Sequence, residues 1–207
     1  MPAQRRRQTP DARRAQIVRA TIEAIADLGY SHTTFAAIAK QGGLSSTRLI
    51  SYHFVDRAEL MRQVGVAVVS EMGAAVATRM ERAITPRDAL HAYLRANVEY
   101  VQTHRAEVIA LVSLLFAGAL DVHGDAAPDA TEQALTEIIA AGVRTGQFGP
   151  IDPLVAAAVM QRAVEGILLS VYRSRDVDLS TLGDALVDFF EAGLAPRPSA
   201  SGTALGG

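Results

Sequence analysis

The sequence predicts an all-α protein of about nine helices, and two kinds of observation support this fold class. Apolar residues recur every three to four positions along nearly every segment, whereas the alternation typical of strands is scarce. Capping residues also precede prolines at the starts of three segments: Thr9-Pro10, Thr85-Pro86 and Asp152-Pro153. An apolar fraction of 49% and a charged fraction of 20% are those of a folded globular chain.

Composition excludes several classes of protein. The chain has no cysteine, which rules out disulfides, thiolate zinc sites and a cysteine nucleophile. Its longest apolar run, residues 109–120, is interrupted by Ser113 and Gly118 and is too short to span a bilayer. We therefore expect a soluble, cytoplasmic protein without a membrane partner.

Charge is distributed unevenly along the chain. Residues 1–62 contain ten Lys and Arg against five Asp and Glu, whereas residues 63–207 contain ten against seventeen. A basic N-terminal region beside an acidic remainder indicates that one end meets a polyanion such as nucleic acid. An ordinary basic tail explains the same asymmetry equally well.

Residues 34–54 predict a helix, a glycine turn and a second helix. Gly42 and Gly43 end the first helix, and Ser45 or Ser46 is the expected cap of the second. This is the layout of a helix-turn-helix, in which the second helix can enter the DNA major groove.

The second helix of this pair has two distinct faces. Ile50 points inward, whereas Thr47, Arg48, Ser51 and Tyr52 share the opposite face by helical spacing. The outer face is rich in hydrogen-bonding groups, and one arginine can bind a guanine edge with two hydrogen bonds. Pattern alone also allows a plain solvated face.

A first helix is predicted from Pro10, after the Thr9 cap, to Gly29, and the chain after residue 54 predicts six further helices. Asp56 and Glu59 form a capping-box-like start for a long helix that ends near residue 82. Five more helices follow, at 85–104, 106–120, 129–145, 153–173 and 178–192. A polar segment at 121–128 separates the second of these from the third. The residues from 196 onward are of low complexity and are predicted to be disordered.

Residues 14–62 resemble the DNA-binding domain of TetR (tetracycline repressor) family transcriptional regulators. The resemblance is carried, in order, by Leu28-Gly29-Tyr30, Thr33-Thr34, Ile38-Ala39, Gly43-Leu44-Ser45, Tyr52-His53-Phe54, Asp56-Arg57 and Glu59-Leu60. The stretch 44–54 is one residue longer than the usual family spacing. Beyond residue 62 the resemblance is limited to length and helix layout.

The resemblance implies a domain division and a set of DNA contacts. Residues 1–62 would form an N-terminal arm with a three-helix DNA-binding domain, 63–195 a helical effector-binding and dimerisation domain, and 196–207 a disordered tail. The implied DNA-binding residues are Thr34, Ser46, Thr47, Arg48, Tyr52, His53 and Arg57. The arm residues Arg5, Arg6 and Arg7 would reach neighbouring DNA, or serve only as a mobile solubilising arm.

The resemblance also implies a homodimer formed by the last two helices and an effector pocket in the second domain. The implied dimer residues are Ala156, Ala157, Ala163, Gly166, Leu168, Leu169, Leu186 and Phe189. The candidate pocket residues are Met72, Met80, Tyr93, Asn97, Tyr100, His104, Phe116 and Met160. Each of these pocket residues is also compatible with ordinary core packing.

The function implied is that of a ligand-responsive regulator, most simply a repressor, which binds a palindromic operator as a dimer and is released by a small hydrophobic effector. The five histidines have no metal-ligand spacing, and no nucleophile elbow, phosphate loop or dinucleotide fingerprint is present. We therefore expect no metal, no cofactor and no catalysis. The alternatives are a helical small-molecule or protein-binding module without DNA binding, and a helical enzyme.

Overall fold

The structure, a computed structural model, describes residues 9–120 and 130–196. Within these ranges the chain forms nine α-helices, one 3₁₀ turn at Tyr30–His32 and no strand. The all-α fold class is confirmed. The helices are α1 (Pro10–Leu28), α2 (Phe35–Gln41), α3 (Arg48–His53), α4 (Arg57–Met80), α5 (Pro86–Thr103), α6 (Arg105–Phe116), α7 (Ala130–Arg144), α8 (Pro153–Arg173) and α9 (Leu182–Leu194).

Helix starts follow the capping residues expected from the sequence. The Ala12 N–H donates to the Thr9 hydroxyl oxygen at 3.3 Å. At α5, Thr85 and Asp88 form a reciprocal capping box, and hydrogen bonds from Thr85 hold the pKa of the Asp88 carboxyl below its usual value. The Asp152 carboxylate accepts from the second and third residues of α8. These side chains satisfy backbone donors that have no partner within the helix.

Helix α1 joins the two parts of the molecule. It packs against α2, α3 and α4 on one side and against α6 on another. Ile17 and Ile25 of α1, Ile38 of α2 and Ile50 of α3 are fully buried and belong to one continuous apolar core. Helix α1 thus contacts both the helix-turn-helix and the C-terminal helix α6.

Two helix starts differ from the sequence-based expectation. Helix α3 begins at Arg48 after Thr47, not directly after Ser45 or Ser46, and has no side-chain cap. The Ser46 carbonyl instead accepts from the Leu49 N–H, so a turn precedes the helix. The last helix begins at Leu182 because Asp178 caps a local turn through the Ser180 N–H at 2.8 Å.

Several expectations concern residues outside the described ranges. They are the arm at Arg5, Arg6 and Arg7, the polar segment 121–128 with the first residue of the predicted 129–145 helix, and the tail from 197 onward.

Helices α4 and α8 are long and apolar enough to cross a bilayer by length and composition alone. The sequence-based argument considered only uninterrupted apolar runs and did not find them. Core helices of soluble proteins pass the same test, and both helices bury part of their surface in the molecule. Their exposed apolar residues nevertheless require an explanation.

Candidate functional site

The turn between α2 and α3 is held against α1 by close backbone contact. Gly43 has a φ of +58°, a conformation that side chains rarely allow. A Cβ atom on Gly42 would lie 2.8 Å from the Cβ atom of Ala20 in α1. The Gln16 amide also donates to the Gly42 carbonyl at 2.8 Å. Two successive glycines therefore allow α3 to leave α2 in a fixed direction.

Helix α3 presents a polar face to solvent. Ile50 is fully buried, whereas Thr47, Arg48, Ser51 and Tyr52 are all exposed, with Tyr52 at 82%. This is the division between inner and outer faces expected from helical spacing. Ser46, in the turn before the helix, is also exposed. The outer face is therefore open to a macromolecular partner over its whole length.

Thr34 lies exposed at the start of α2 and is its N-cap. Its hydroxyl oxygen accepts from the Ala37 N–H at 3.2 Å, which leaves the hydroxyl proton for donation. The first N–H groups of a helix attract anions because they carry the positive end of the helix dipole. This end of α2 is thus chemically suited to a phosphate.

An arginine of α1 fixes the end of α3, a role that the sequence analysis missed. The Arg14 guanidinium lies 4.3 Å from the centre of the Phe54 ring and donates to the His53 carbonyl. It also pairs with the Glu59 carboxylate at 3.0 Å. The Val55 N–H donates to Glu59, and this bond together with Arg14 lowers the pKa of the Glu59 carboxyl. The local sequence around Arg14 does not predict contacts with residues 39 and 45 positions further along the chain.

Arg57, expected at a phosphate, contacts Tyr30. Its guanidinium lies 4.3 Å from the centre of the Tyr30 ring and donates to the Tyr30 hydroxyl at 3.0 Å and carbonyl at 2.8 Å. These bonds tie the start of α4 to the turn after α1. The phosphate contact of Arg57 stays a prediction.

A cavity of about 370 Å³ lies between α4, α5, α7 and α8. Four of the eight candidate pocket residues line it: Met72, Met80, Tyr93 and Asn97. The polar lining residues that the sequence analysis missed are Thr131, Gln161 and Glu165. Leu168, expected in the dimer interface, is also part of this lining. The volume of the cavity and its mainly apolar wall are typical of a site for a small molecule.

The other four candidate pocket residues lie elsewhere. Met160 is fully buried in the core. Tyr100 is stacked on His104 with ring centres 4.2 Å apart, beside a separate surface groove between α4 and α5. Phe116 is exposed and touches the ring of Tyr172. They were chosen by residue type, which does not specify the face of the helix.

Helices α8 and α9 each carry exposed apolar residues. Phe189 on α9 is 69% exposed, and Gly166 on α8 is exposed. Three of the remaining candidate dimer residues are buried within the chain: Ala156, Ala157 and Leu168. The other three are partly exposed: Ala163, Leu169 and Leu186. Val155 and Val159 are both more than half exposed and were missed. Their spacing from Gly166 places them on one stripe of α8.

Comparison with known proteins adds a sequence relationship over part of the chain. No family model matches. The HTH-type transcriptional regulator BetI 1 of Chromohalobacter salexigens is 32% identical over 94 residues, which are 45% of this chain and 46% of that protein. The chain thus spans about half the length of this relative.

Solved structures match nearly the whole chain. A TetR-like transcriptional regulator from Rhodococcus sp. RHA1 superposes with a TM-score of 0.72 at 18% identity, covering 90% of this chain and 98% of that one. AibR in complex with isovaleryl coenzyme A and operator DNA gives 0.67 at 21% identity, with coverage of 89% and 98%. The resemblance to the TetR family is confirmed: the chain has the TetR-type fold and is related in sequence, over nearly half its length, to helix-turn-helix transcriptional regulators.

Proposed function

We propose that this protein is a ligand-responsive transcription regulator that binds a palindromic operator as a homodimer. The observation that carries the proposal is the exposed polar face of α3, held rigidly by the bonds of Arg14 and the close contact at Gly42. A solvated helix does not need such anchoring, whereas a helix that reads DNA must keep its side chains in register. We further propose that the protein acts in the cytoplasm and has no catalytic activity, as its relatives are named as regulators.

The DNA contacts follow from the chemistry of the exposed groups. Arg48 is exposed and would donate two hydrogen bonds to the O6 and N7 atoms of a guanine, with Thr47 and Ser46, also exposed, beside it in the chain. Around this centre, the groups suited to phosphates are Thr34, Tyr52, His53 and Arg57. Base contacts at the middle with phosphate contacts at both ends give affinity and sequence preference together.

Residues 63–195 would provide the dimer contact and the effector site. Exposed apolar residues on α8 and α9, above all Phe189, Val155 and Val159, are suited to burial against a second copy of the chain. A dimer would bring two copies of α3 to half-sites about 34–36 Å apart, one turn of DNA. This also accounts for the apolar surface of α8 without a membrane.

A path from the C-terminal helices to the DNA-binding helices runs through two arginines. The Arg175 guanidinium, between α8 and α9, donates to the carbonyl of Ala26 in α1. Arg105 at the start of α6 holds the same connection by donating to the carbonyls of Arg175 at 2.5 Å and Val177 at 2.8 Å. A shift of α8 caused by an effector would thus reach α1 through these bonds.

In this scheme the effector releases DNA by favouring one conformation over another. Its cavity is bounded by α4, which follows α3 directly, and by α8, which carries the exposed apolar stripe. An effector that binds better to one spacing of the DNA-binding domains shifts the population toward that spacing. We propose repression, relieved by the effector, as the sense of regulation.

Replacing Arg48 tests the assignment of the DNA-reading face. We expect Arg48→Ala to weaken binding to the specific operator by about 1–3 kcal/mol, because one bidentate base contact is lost. Binding to unrelated DNA should change much less. Fluorescence anisotropy with both DNAs at one salt concentration measures the difference.

The matched control is Arg82→Ala, which removes the same charge from an exposed position just after α4. It should leave both affinities nearly unchanged. Equal weakening of specific and unrelated DNA by Arg48→Ala would contradict the base contact, and no effect on either DNA would remove α3 from the interface.

A further inference from the structure

The cavity between α4, α5, α7 and α8 has an unusual charge balance. Among its described lining residues, Glu165 is the one with a charged side chain, and none is Lys or Arg. The described wall therefore offers no Lys or Arg side chain to a bound anion.

The rest of the wall is apolar or neutral. Asn97, Gln161 and Tyr93 are buried, and together with the exposed Thr131 they give the cavity four neutral hydrogen-bonding side chains. Methionine, valine and leucine side chains supply most of the remaining surface. A carboxylate or phosphate placed here would lose its water without gaining a cation, at a large free-energy cost. An ammonium group would gain the carboxylate of Glu165 as a partner.

Glu165 lies where it can favour a cation over an anion in the cavity. Its carboxylate pairs with Arg162 at 2.7 Å, one turn earlier on α8, and Arg162 lies outside the cavity lining. Both side chains of this pair are about half exposed, so their mutual attraction is weakened by solvent. A cation inside the cavity would approach the same carboxylate from a less hydrated side, where electrostatic attraction is stronger.

We infer that the effector is an apolar amine, a small cationic amphiphile, and that Glu165 is the residue that selects its charge. This inference rests on the proposed function, because it assigns the chemistry of the effector in that scheme. By the same argument, a fatty acid whose carboxylate lies inside the cavity should bind less tightly than the amine.

Three probes of equal chain length test the inference on the full ligand-free chain: octylamine, 1-octanol and octanoate. At pH 7 the amine is cationic and the acid anionic. Isothermal titration calorimetry should give an octylamine Kd tighter than that of octanoate by about tenfold or more, about 1.4 kcal/mol, with octanol between them. In the Glu165→Gln chain the difference in Kd between octylamine and octanoate should largely disappear, while the affinity for octanol is retained.

The matched control is Glu137→Gln, which removes one exposed carboxylate of α7 outside the lining of this cavity. It should preserve the preference for the amine. The inference is overturned if octanoate binds as tightly as octylamine, if none of the three probes binds, or if Glu165→Gln leaves the amine-to-acid ratio unchanged.

A parallel titration of operator DNA separates this inference from the proposed function. DNA binding without a preference for the amine overturns the inference alone. A preference for the amine in a chain that binds no DNA overturns the regulator proposal and leaves the charge selection by Glu165 in place.

Discussion

A Phe189→Glu chain is expected to elute as a monomer and to lose operator affinity by about 10²–10⁴-fold, because two linked half-site contacts become one. Phe189 is a large apolar side chain left 69% exposed on α9. A carboxylate at this position would have to lose its water in a dimer interface without an assigned partner. The single chain should still fold, since most of the Phe189 side chain is exposed and its ring contact is with one core residue, Phe190.

The matched control is Ile84→Glu, which places the same charge at an apolar residue 92% exposed between α4 and α5. Light scattering coupled to size exclusion measures the mass of both variants beside the original chain. The dimer assignment fails if Phe189→Glu keeps the mass of two chains, or if Ile84→Glu dissociates to the same extent.

Phe54→Ala is expected to have the largest effect on stability, a loss of about 3–5 kcal/mol. Phe54 is 2% exposed and closes the end of α3, with the Arg14 guanidinium over its ring. Its removal would leave a cavity and release the end of the reading helix. Since a domain is stable by only about 5–15 kcal/mol, DNA binding should fail together with the fold of this region. Urea unfolding followed by circular dichroism measures the loss.

Tyr52→Ala, two residues earlier, separates folding from recognition. Tyr52 is almost fully exposed, so its removal should change the free energy of unfolding by no more than about 0.5 kcal/mol. The affinity of the Tyr52→Ala chain for DNA should nevertheless fall, because we assign the Tyr52 hydroxyl to a phosphate contact. Similar losses of stability in the two variants would contradict the division of α3 into a buried and a reading face.

Local patterns predicted the two faces of α3 well, because these faces depend only on helical periodicity. The burial of Ile50 and the exposure of Thr47, Arg48, Ser51 and Tyr52 follow from positions three and four apart. The exact first residue of α3 could not be predicted from helical periodicity. Ser45, Ser46 and Thr47 are all acceptable caps, and a backbone bond from Leu49 to Ser46 decides among them.

The cavity and the anchoring contacts were predicted less completely, because they depend on residues far apart in the chain. Met72 and Asn97 line the cavity as expected, whereas Met160, of the same chemical type as Met72, is core. Glu165 was not among the candidate pocket residues, because its place in the cavity lining depends on how α8 packs against the neighbouring helices. Arg14 and Arg175 act across long stretches of sequence, and nothing in their local sequence indicates their partners.

Selection of binding sites from random double-stranded DNA by the full chain tests the central claim most directly. If the protein is a dimeric regulator, a palindrome with half-sites about one helical turn apart should be enriched. Affinity for it should fall by about 10³–10⁵ between 50 and 200 mM salt, as expected for about six to ten phosphate contacts. If no sequence is enriched and ligand-stripped protein binds no DNA at low salt, the protein is a helical binding module and the regulator account is wrong.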